Sequence, residues 1–594
     1  MLDDIDNKAT ASTPKPDEIE NLERRSLFKY SFAGGITAFA ANHAMAADPV
    51  PLPVIYPPSP PIIPWQETFP AYLTQAKAPV GELDPPPQQN SNVGFGECGR
   101  NPIQGWEHFY GDDNHDTYEL HVKEGMHVFN PAYPPQPIWG YDGVYPGPTF
   151  HAYYGRTVIT RLFNELPQNH VGFGSPELTM HLHNAHTPTE SDGFPGDFWS
   201  PVKNGPTLAS PGNFKDHCYP NVYAGYLQSR VNDPNAIGDP REALGTLWYH
   251  DHTLDSTGPN IARGLAGFYL LFDAIDSGNE NDFDNPQALR LPSGEFDVPI
   301  IFQDKRFDAS GMQIYDQMNP EGILGDQVVV NGKIKPYLKV ARRRYRFRLL
   351  DGGPTRFYQF NLVHNKVAKP FIYIANDGNL LEYPLMNQTK VTLGVAERAD
   401  IIVDFSAFPI GSEVYLVNRM EQEDPRKPKG TYAGVQVLKF IVDRNPTEHD
   451  NSRVLTATTK LRDLPPIDLT EVAARRTWEF GRKNGVWTVN EKIFEINNPR
   501  AKPKLGTAEI WKLVNGGGGW AHPVHIHFEE GRILTRNGVA PPLHERGRKD
   551  VYPLFPGDTV EVFIRFRDFP GKYVMHCHNT PHEDHAMMVR FDLE

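Results

Sequence analysis

The stretch that most constrains this chain lies near its C-terminus, where a cysteine stands between two histidines. Residues 573–587 read Tyr-Val-Met-His-Cys-His-Asn-Thr-Pro-His-Glu-Asp-His-Ala-Met. Side chains along a β-strand alternate between its two faces. We therefore expect His576 and His578 to point one way and Cys577 to point the other. One strand would then serve two metal sites, placed back to back.

The face that carries Cys577 has the side chains of a copper site. A thiolate at Cys577, an imidazole at His582 and a thioether at Met587 are three of the four ligands of a blue-copper centre. Such a centre uses two histidines, one cysteine and a weak axial methionine, and it transfers single electrons. A second histidine is needed to complete the set.

A second histidine segment, His522-Pro-Val-His-Ile-His527, supplies the missing ligands. His525 and His527 are two residues apart and share a face of a strand, whereas His522 is an odd number of residues from both and faces the other way. His522 can therefore join Cys577. The other two can join the histidines that flank Cys577.

Two more His-x-His pairs occur earlier in the chain, His181-Leu-His183 and His250-Asp-His252. With 23 histidines in 594 residues, about one such pair is expected by chance. This chain has four, all in apolar, strand-like contexts flanked by aromatic residues. A single pair is explained equally well by ordinary surface or core histidines. Four pairs together with the cysteine indicate a metal centre.

Together these motifs resemble the multicopper oxidases of laccase type, in particular the bacterial branch that contains the spore-coat laccase, bilirubin oxidase and phenoxazinone synthase. The resemblance covers nearly the whole chain after an N-terminal targeting segment. Further matching segments are Ile138-Trp-Gly-Tyr-Asp-Gly143, Gly147-Pro-Thr149 and Ser191-Asp-Gly193. The chain departs from the family pattern at Asn184, where the first motif usually has glycine.

The resemblance implies four copper ions and assigns their ligands. The type 1 copper is expected on His522, Cys577, His582 and axial Met587. The type 2 copper is expected on His181 and His525. The coupled type 3 pair is expected on His183, His250, His252, His527, His576 and His578. Asp192 and Glu583 match acidic positions that supply protons in similar enzymes; the alternative for both is a solvated surface carboxylate.

The resemblance also implies a reaction. A donor reduces the type 1 copper one electron at a time near His582, which we expect to be exposed, and O2 becomes water at the trinuclear cluster. Phenols, aminophenols or similar aromatic compounds are the expected donors. One alternative is a metallo-oxidase that acts on Cu(I), Mn(II) or Fe(II). The other is a copper-binding protein without catalysis. The chain has only 11 methionines and no methionine-rich insert, which disfavours Cu(I).

Short β-branched and aromatic runs separated by Pro, Gly and Asn turns predict an all-β fold of three antiparallel sandwiches. The resemblance identifies these as three consecutive cupredoxin-like Greek-key domains. The first and third are expected to carry the copper ligands, and the second, whose only histidine is His364, is interpreted as a spacer. The predicted boundaries are 105–275, 290–445 and 478–594, with a linker at 446–477. A monomer is expected, because three domains already close the cluster.

Composition excludes some classes of partner. A hydrophobic fraction of 39% and a charged fraction of 22% are ordinary for a globular protein. The net charge of −15 argues against nucleic acids and anionic membranes as partners. No apolar run reaches the length of a spanning helix, so we expect no membrane span.

The N-terminus resembles a targeting signal. Arg24-Arg-Ser-Leu-Phe-Lys29 precedes a modest apolar run and Ala44-Met-Ala46. This pattern indicates a twin-arginine signal peptide over residues 1–46 and export to the periplasm or cell exterior by the twin-arginine machinery. A disordered basic tail is the alternative. Residues 47–104 are rich in proline and predict an extended segment lying over the surface.

Three cysteines occur in the chain, and Cys577 is assigned to copper. Cys98 and Cys218 are the remaining two. In an oxidising compartment they can form one disulfide. Two buried thiols fit the sequence equally well.

Overall fold

A computed structural model of the chain describes residues 56–70, 72–77, 83, 115–203, 205–207 and 212–594. The predicted signal peptide, most of the proline-rich segment and Cys98 lie outside these residues. The disulfide hypothesis therefore remains open, although Cys218 itself is buried. Among the described residues, no helix is long and apolar enough to cross a bilayer.

The first β-region (115–272) contains two four-stranded sheets, ordered β2-β1-β4-β6 and β3-β8-β7-β5. Their apolar faces meet in one core that includes Leu120, Leu162 and Leu247. The strands are β1 His115–His127, β2 Gln136–Tyr141, β3 Gly147–Tyr153, β4 Thr157–Asn164, β5 Met180–His183, β6 Phe214–Tyr219, β7 Thr246–Asp251 and β8 Ala266–Phe272. Two helices belong to this region, α1 Tyr226–Ser229 and α2 Thr257–Arg263.

The second β-region (297–444) pairs an eight-stranded sheet with a six-stranded one. The core between the two sheets is rich in Phe, Ile, Leu and Val. The strands are β9 Asp297–Phe307, β10 Gln313–Ile314, β11 Gln327–Val330, β12 Lys333–Ile334, β13 Tyr337–Ala341, β14 Arg344–Asp351, β15 Tyr358–His364, β16 Val367–Lys369, β17 Phe371–Asn376, β18 Asn379–Gln388, β19 Val391–Leu393, β20 Arg398–Asp404, β21 Glu413–Glu421 and β22 Gly430–Arg444.

The third β-region (472–593) pairs a six-stranded sheet with the four-stranded sheet β29-β26-β31-β32. The strands are β23 Val472–Lys483, β24 Val486–Val489, β25 Thr507–Asn515, β26 His522–Ile526, β27 Gly531–Arg536, β28 Arg548–Lys549, β29 Val551–Leu554, β30 Thr559–Phe566, β31 Gly571–Cys577 and β32 Met588–Leu593. One helix, α3 Thr580–Asp584, lies between the last two strands. β23 begins inside the segment predicted as a linker.

The all-β prediction is confirmed, and the predicted antiparallel sandwiches also contain parallel strand pairs. Each region contains parallel neighbours that are distant in sequence: β1 with β4, β13 with β22, and β23 with β25. Such pairs arise because the chain crosses from one sheet to the other before it returns, and parallel neighbours need a long connection. The alternation of side chains predicted from the sequence still holds. In β30, Val560, Val562, Ile564 and Phe566 all point into the core.

The described part of the proline-rich segment lies against both of the first two regions. Thr68 forms an isolated parallel bridge with Tyr337, and Thr74 forms one with Thr149. The amide of Phe69 donates to the carbonyl of Tyr337 over 2.6 Å. These contacts belong to an extended chain rather than to a separate folded unit.

Candidate metal centre

Two neighbouring strands of the third region carry the histidines around Cys577. β26 and β31 are antiparallel, and their register places Val524 opposite Cys577 and His525 opposite His576. Residues that face each other in an antiparallel pair point to the same side of the sheet. Cys577 therefore points into the core of the third region, while His525 and His576 point to the opposite face. This is the arrangement that the two-residue periodicity predicts.

The thiol site consists of His522, Cys577 and His582, all fully buried. The Sγ atom of Cys577 lies 3.4 Å from Nδ1 of His522 and 3.7 Å from Nδ1 of His582. The two Nδ1 atoms lie 3.3 Å apart. Three ligand atoms thus converge on one point, as sequence analysis predicted.

Backbone hydrogen bonds hold Met587 next to the thiol site. Its carbonyl accepts a hydrogen bond from the Cys577 amide over 3.1 Å, and its own amide donates to the carbonyl of His582 over 3.0 Å. Its side chain is buried in the core that contains Cys577. The short helix α3 carries His582 and Glu583 side by side. Because successive helical residues point about 100° apart, the first faces the thiol site and the second faces the opposite side.

On the other side lies the histidine cluster, made of eight buried imidazoles: His181, His183, His250, His252, His525, His527, His576 and His578. Four come from the first β-region and four from the third. In one group, the Nε2 atoms of His252, His527 and His576 lie 3.2 Å from one another. Neither region alone supplies a complete set.

Two further groupings complete the cluster. His183, His250 and His578 bring one ligand atom each to a common position. His181 and His525 place their Nε2 atoms 3.4 Å apart. Strand pairing explains these positions, because β5 and β7 are antiparallel neighbours with His181 opposite His250.

The protonation states of the buried histidines suit metal binding. Burial lowers the pKa of His250 and of His522 to about 3, and it holds the pKa of His181, His252 and His576 well below the usual value. These imidazoles are therefore neutral near pH 7, the form that binds metal. Burial also raises the pKa of the Cys577 thiol. A thiolate forms here only with a cation beside it, which a coordinated metal supplies.

Two carboxylates lie against the outer nitrogens of the cluster. Oδ2 of Asp192 lies 2.8 Å from Nδ1 of His527. Oε2 of Glu583 lies 2.9 Å from Nδ1 of His576, and its Oε1 lies 3.3 Å from Nδ1 of His252. Nδ1–H of His527 donates to Asp192, and Nδ1 of His576 lies 3.3 Å from the carbonyl of Cys577, so both rings direct the Nε2 lone pair into the cluster. The converging lone pairs repel one another, so the donor set fits a cation at its centre.

The alternative of a solvated surface carboxylate is wrong for both acids, because Asp192 and Glu583 are buried. Burial raises the pKa of both carboxyl groups. Both therefore lie next to cluster histidines, away from bulk water.

The expectation that His582 is exposed is also wrong, since its exposed fraction is 0%. Its Nε2–H donates to the carbonyl of Glu321 over 3.2 Å. The indole of Trp487 covers the ring at a centroid distance of 3.9 Å. Trp520, with an exposed fraction of 9%, packs edge-on against Trp487. No spacing in the sequence linked these residues to His582.

Asp550 was also missed by sequence analysis. Its carboxylate lies 2.6 Å from Nε2 of His183 and 3.2 Å from Nδ1 of His525. No motif marks it: it is the single residue between β28 and β29. Only the assembled structure brings it to the cluster.

Asn184 takes the backbone shape of the glycine it replaces. Its φ angle is +75°, in the left-handed region that asparagine tolerates better than most residues. The side-chain amide adds a hydrogen bond to the carbonyl of Asp377, over 2.8 Å.

Comparison with known proteins agrees with this geometry. Residues 123–213 and 465–594 match two family models, both described as multicopper oxidase. The bilirubin oxidase of Albifimbria verrucaria is 32% identical over 516 residues, covering 83% of this chain and 78% of the relative. The chain belongs to the multicopper oxidase family. It is a copper-dependent enzyme of laccase type that uses O2 as electron acceptor.

In other relatives, the match to this multicopper oxidase covers most of the relative's own length. The laccase of Bacillus subtilis is 29% identical, with 80% of this chain and 94% of the relative covered. The crystal structure of the multicopper oxidase McoA from Aquifex aeolicus superposes with a TM-score of 0.63 at 26% identity, covering 81% of this chain and 98% of that one. The fold is thus the cupredoxin-like fold that the resemblance implied.

Proposed function

We propose that this oxidase takes electrons one at a time from an organic donor at the thiol site and delivers them to O2 at the histidine cluster. One observation carries this proposal. Cys577 contributes its side chain to the first site, while its two sequence neighbours, His576 and His578, contribute theirs to the second. A single covalent segment therefore joins the two sites.

The ligand sets support four copper ions. The thiol site, with Met587 as the axial ligand, suits a type 1 copper. His181 and His525 would hold a type 2 copper, and the remaining six cluster histidines would hold a type 3 pair. When bound, copper supplies one-electron redox chemistry and a binding place for O2.

The protein residues keep the two sites distinct. Cys577 provides the path between them, and the buried surroundings exclude water from both. The first and third β-regions enclose the cluster between them. Asp192 accepts a hydrogen bond from Nδ1 of His527, and Glu583 lies 2.9 Å from Nδ1 of His576. Both are the proposed sources of protons for O2 reduction.

Replacing Glu583 by Gln tests the proton role. The amide keeps the size of the side chain but loses its acid–base function, which typically contributes about 10²–10⁴-fold to a proton-transfer step. We expect reoxidation of the enzyme by O2 to slow in this range, while reduction of the thiol site by the donor stays unchanged. Stopped-flow absorption measures both steps separately, and equal effects on the two would exclude the relay role. Asp584→Asn is unsuitable as a control, because Asp584 accepts a hydrogen bond from the amide of Thr257 at the start of α2. The control is Glu190→Gln, at another buried glutamate.

The surface above His582 favours an organic donor over a metal ion. The guanidinium groups of Arg426 and Arg482 lie 5.1 and 5.4 Å from the ring centre of Trp520. Electron-rich aromatic rings stack on indoles and guanidinium groups. The guanidinium of Arg426 repels a hydrated cation, whereas that of Arg482 is paired with Glu321 over 2.6 Å. We therefore place the aromatic donor against Trp520, with Trp487 between it and His582.

Trp520→Leu distinguishes the two donor classes. An aromatic contact is worth about 0.5–1.5 kcal/mol, so we expect the KM for a substituted phenol to rise about 2- to 10-fold. The KM for Cu(I) or Fe(II) should not change. Steady-state O2 uptake with each donor measures these KM values. An equal rise in KM for all donors would contradict an aromatic binding site at Trp520. Trp139→Leu, in the first β-region, is the control for general destabilisation.

Export is a separate proposal. We propose that residues 1–46 direct the folded chain through the twin-arginine machinery to the periplasm or cell exterior and are removed after Ala46. Folded export suits an enzyme whose cluster is closed by two regions far apart in sequence. N-terminal sequencing of the exported protein tests the cleavage position.

A further inference from the structure

One buried carboxylate links the two halves of the histidine cluster. Oδ2 of Asp550 lies 2.6 Å from Nε2 of His183, which comes from the first β-region. The same oxygen lies 3.2 Å from Nδ1 of His525, which comes from the third. The main-chain carbonyl of Asp550 also lies 3.1 Å from that Nδ1. All three residues are buried.

The contacts of His525 determine which of its ring nitrogens carries the hydrogen. Its Nδ1 faces two oxygens of Asp550 and must be protonated, since lone pairs would repel each other. His525 therefore presents Nε2 to the cluster, where it lies 3.4 Å from Nε2 of His181. Neither ring nitrogen of His183 has a hydrogen-bond partner among the described residues, so Asp550 contacts its Nε2 at close range without a hydrogen bond. Asp550 thus lies against one ligand from each region and sets the tautomer of His525.

The second β-region holds this carboxylate in place. Arg398 lies at the start of β20, and its Nη1 lies 3.0 Å from Oδ1 of Asp550. Its Nη2 donates to the carbonyl of Asp377 over 3.0 Å, and its own amide donates to Oδ1 of Asp377. Lys549, next to Asp550 in the chain, donates to Oδ2 of Asp377 over 2.8 Å. We call Asp377, Arg398, Lys549 and Asp550 the interdomain hub.

The first β-region is tied to the same hub through Asn184. Its side-chain amide donates to the carbonyl of Asp377, the group that also accepts from Arg398. Asn184 follows His183 directly in the chain. The residue that replaces the usual glycine therefore connects a cluster ligand to the second β-region, which glycine cannot do.

We infer that the second β-region is no mere spacer: its Arg398 and Asp377 hold Asp550, and Asp550 positions His183 and His525 for copper. Asp550 is a positioning residue, because it acts through the ligands and does not itself contact the reacting atoms. The hub joins all three regions at the point where the cluster closes. This inference rests on the proposed assignment of the cluster histidines to type 2 and type 3 copper.

Asp550→Asn tests the inference in the copper-loaded protein. Loss of an outer carboxylate typically weakens metal binding about 10–100-fold. We expect the variant to keep the blue absorption of the thiol site but to lose most of its type 2 signal in electron paramagnetic resonance and to bind less copper per chain. The control is Asp216→Asn, because Asp216 is an equally buried carboxylate that pairs with Arg161, at 2.8 Å, and touches no cluster histidine. It should keep the type 2 signal.

Two milder variants cover the case in which Asp550→Asn does not fold. Asn184→Gly suits the positive φ angle and removes only the bond to Asp377. Arg398→Lys keeps the charge but loses the fork that reaches both partners. We expect both to fold, to keep blue absorption and to release type 2 copper to a chelator several-fold faster than the unmodified protein.

The outcomes separate this inference from the proposed function. If the unmodified protein shows no type 2 signal, the trinuclear assignment fails and the inference fails with it. If the unmodified protein shows the signal, and the hub variants show the same signal, copper content and chelator release, the inference alone is overturned. Loss of the signal in the hub variants but not in Asp216→Asn supports a positioning role over general destabilisation.

Discussion

Replacing Cys577 by Ser removes the intense blue absorption and reduces donor oxidation to the level of the copper-free protein. The thiolate is both the strong ligand of the thiol site and the start of the covalent path to His576 and His578. A hydroxyl at this position is a hard ligand that copper does not favour over a thiolate. Absorption spectroscopy and O2 uptake on copper-loaded protein measure the two effects.

A matched variant shows that this loss belongs to the site. Cys218→Ala removes the side chain of another buried cysteine, from β6 in the first β-region. It should keep the blue absorption and at least most of the activity. If Cys577→Ser kept the blue absorption, or if both variants lost it equally, Cys577 would not be the ligand.

Replacing His252 by Ala separates electron uptake from O2 reduction. His252 is one of three histidines whose Nε2 atoms lie 3.2 Å apart, and its Nδ1 lies next to Glu583. We expect the thiol site to form, to be bleached by the donor and to stay bleached in air. The physical reason is that the covalent path remains while the place where O2 is reduced is incomplete.

Stopped-flow absorption follows both halves of this prediction. His364→Ala is the control, because His364 lies in the second β-region and its ring bonds only to the carbonyl of Glu413 and to Asn365. It should bleach and recover as the unmodified protein does. Recovery of colour in His252→Ala at the normal rate would remove His252 from the cluster.

Much of the candidate centre was predictable because strand periodicity is simple. The spacing of His522, His525 and His527 sorts them onto two faces, and the pairing of β26 with β31 reproduces that sorting. Local spacing also placed His582 near Cys577. These predictions needed only the alternation of side chains and the chemistry of the ligands.

Other features were not predictable, because they depend on segments far apart in sequence. Asp550 reaches His183 across more than half of the chain, and Arg398 comes from a region that has no ligands of its own. The burial of His582 depends on the carbonyl of Glu321 in the second β-region. No periodicity encodes contacts of this kind. They account for the error about an exposed His582.

The most direct test of the central claim is the electron balance of copper-loaded protein during turnover. Copper per chain is counted, the absorption spectrum is recorded, and O2 uptake is followed with a substituted phenol, Cu(I) and Mn(II) in turn. The account predicts four coppers per chain, an intense blue band, preference for the phenol, and four electrons consumed per O2 with no hydrogen peroxide. Preference for a metal ion would instead support a metallo-oxidase. A blue band without O2 uptake would contradict the account, because the thiol site would then bind copper without serving a cluster that reduces oxygen.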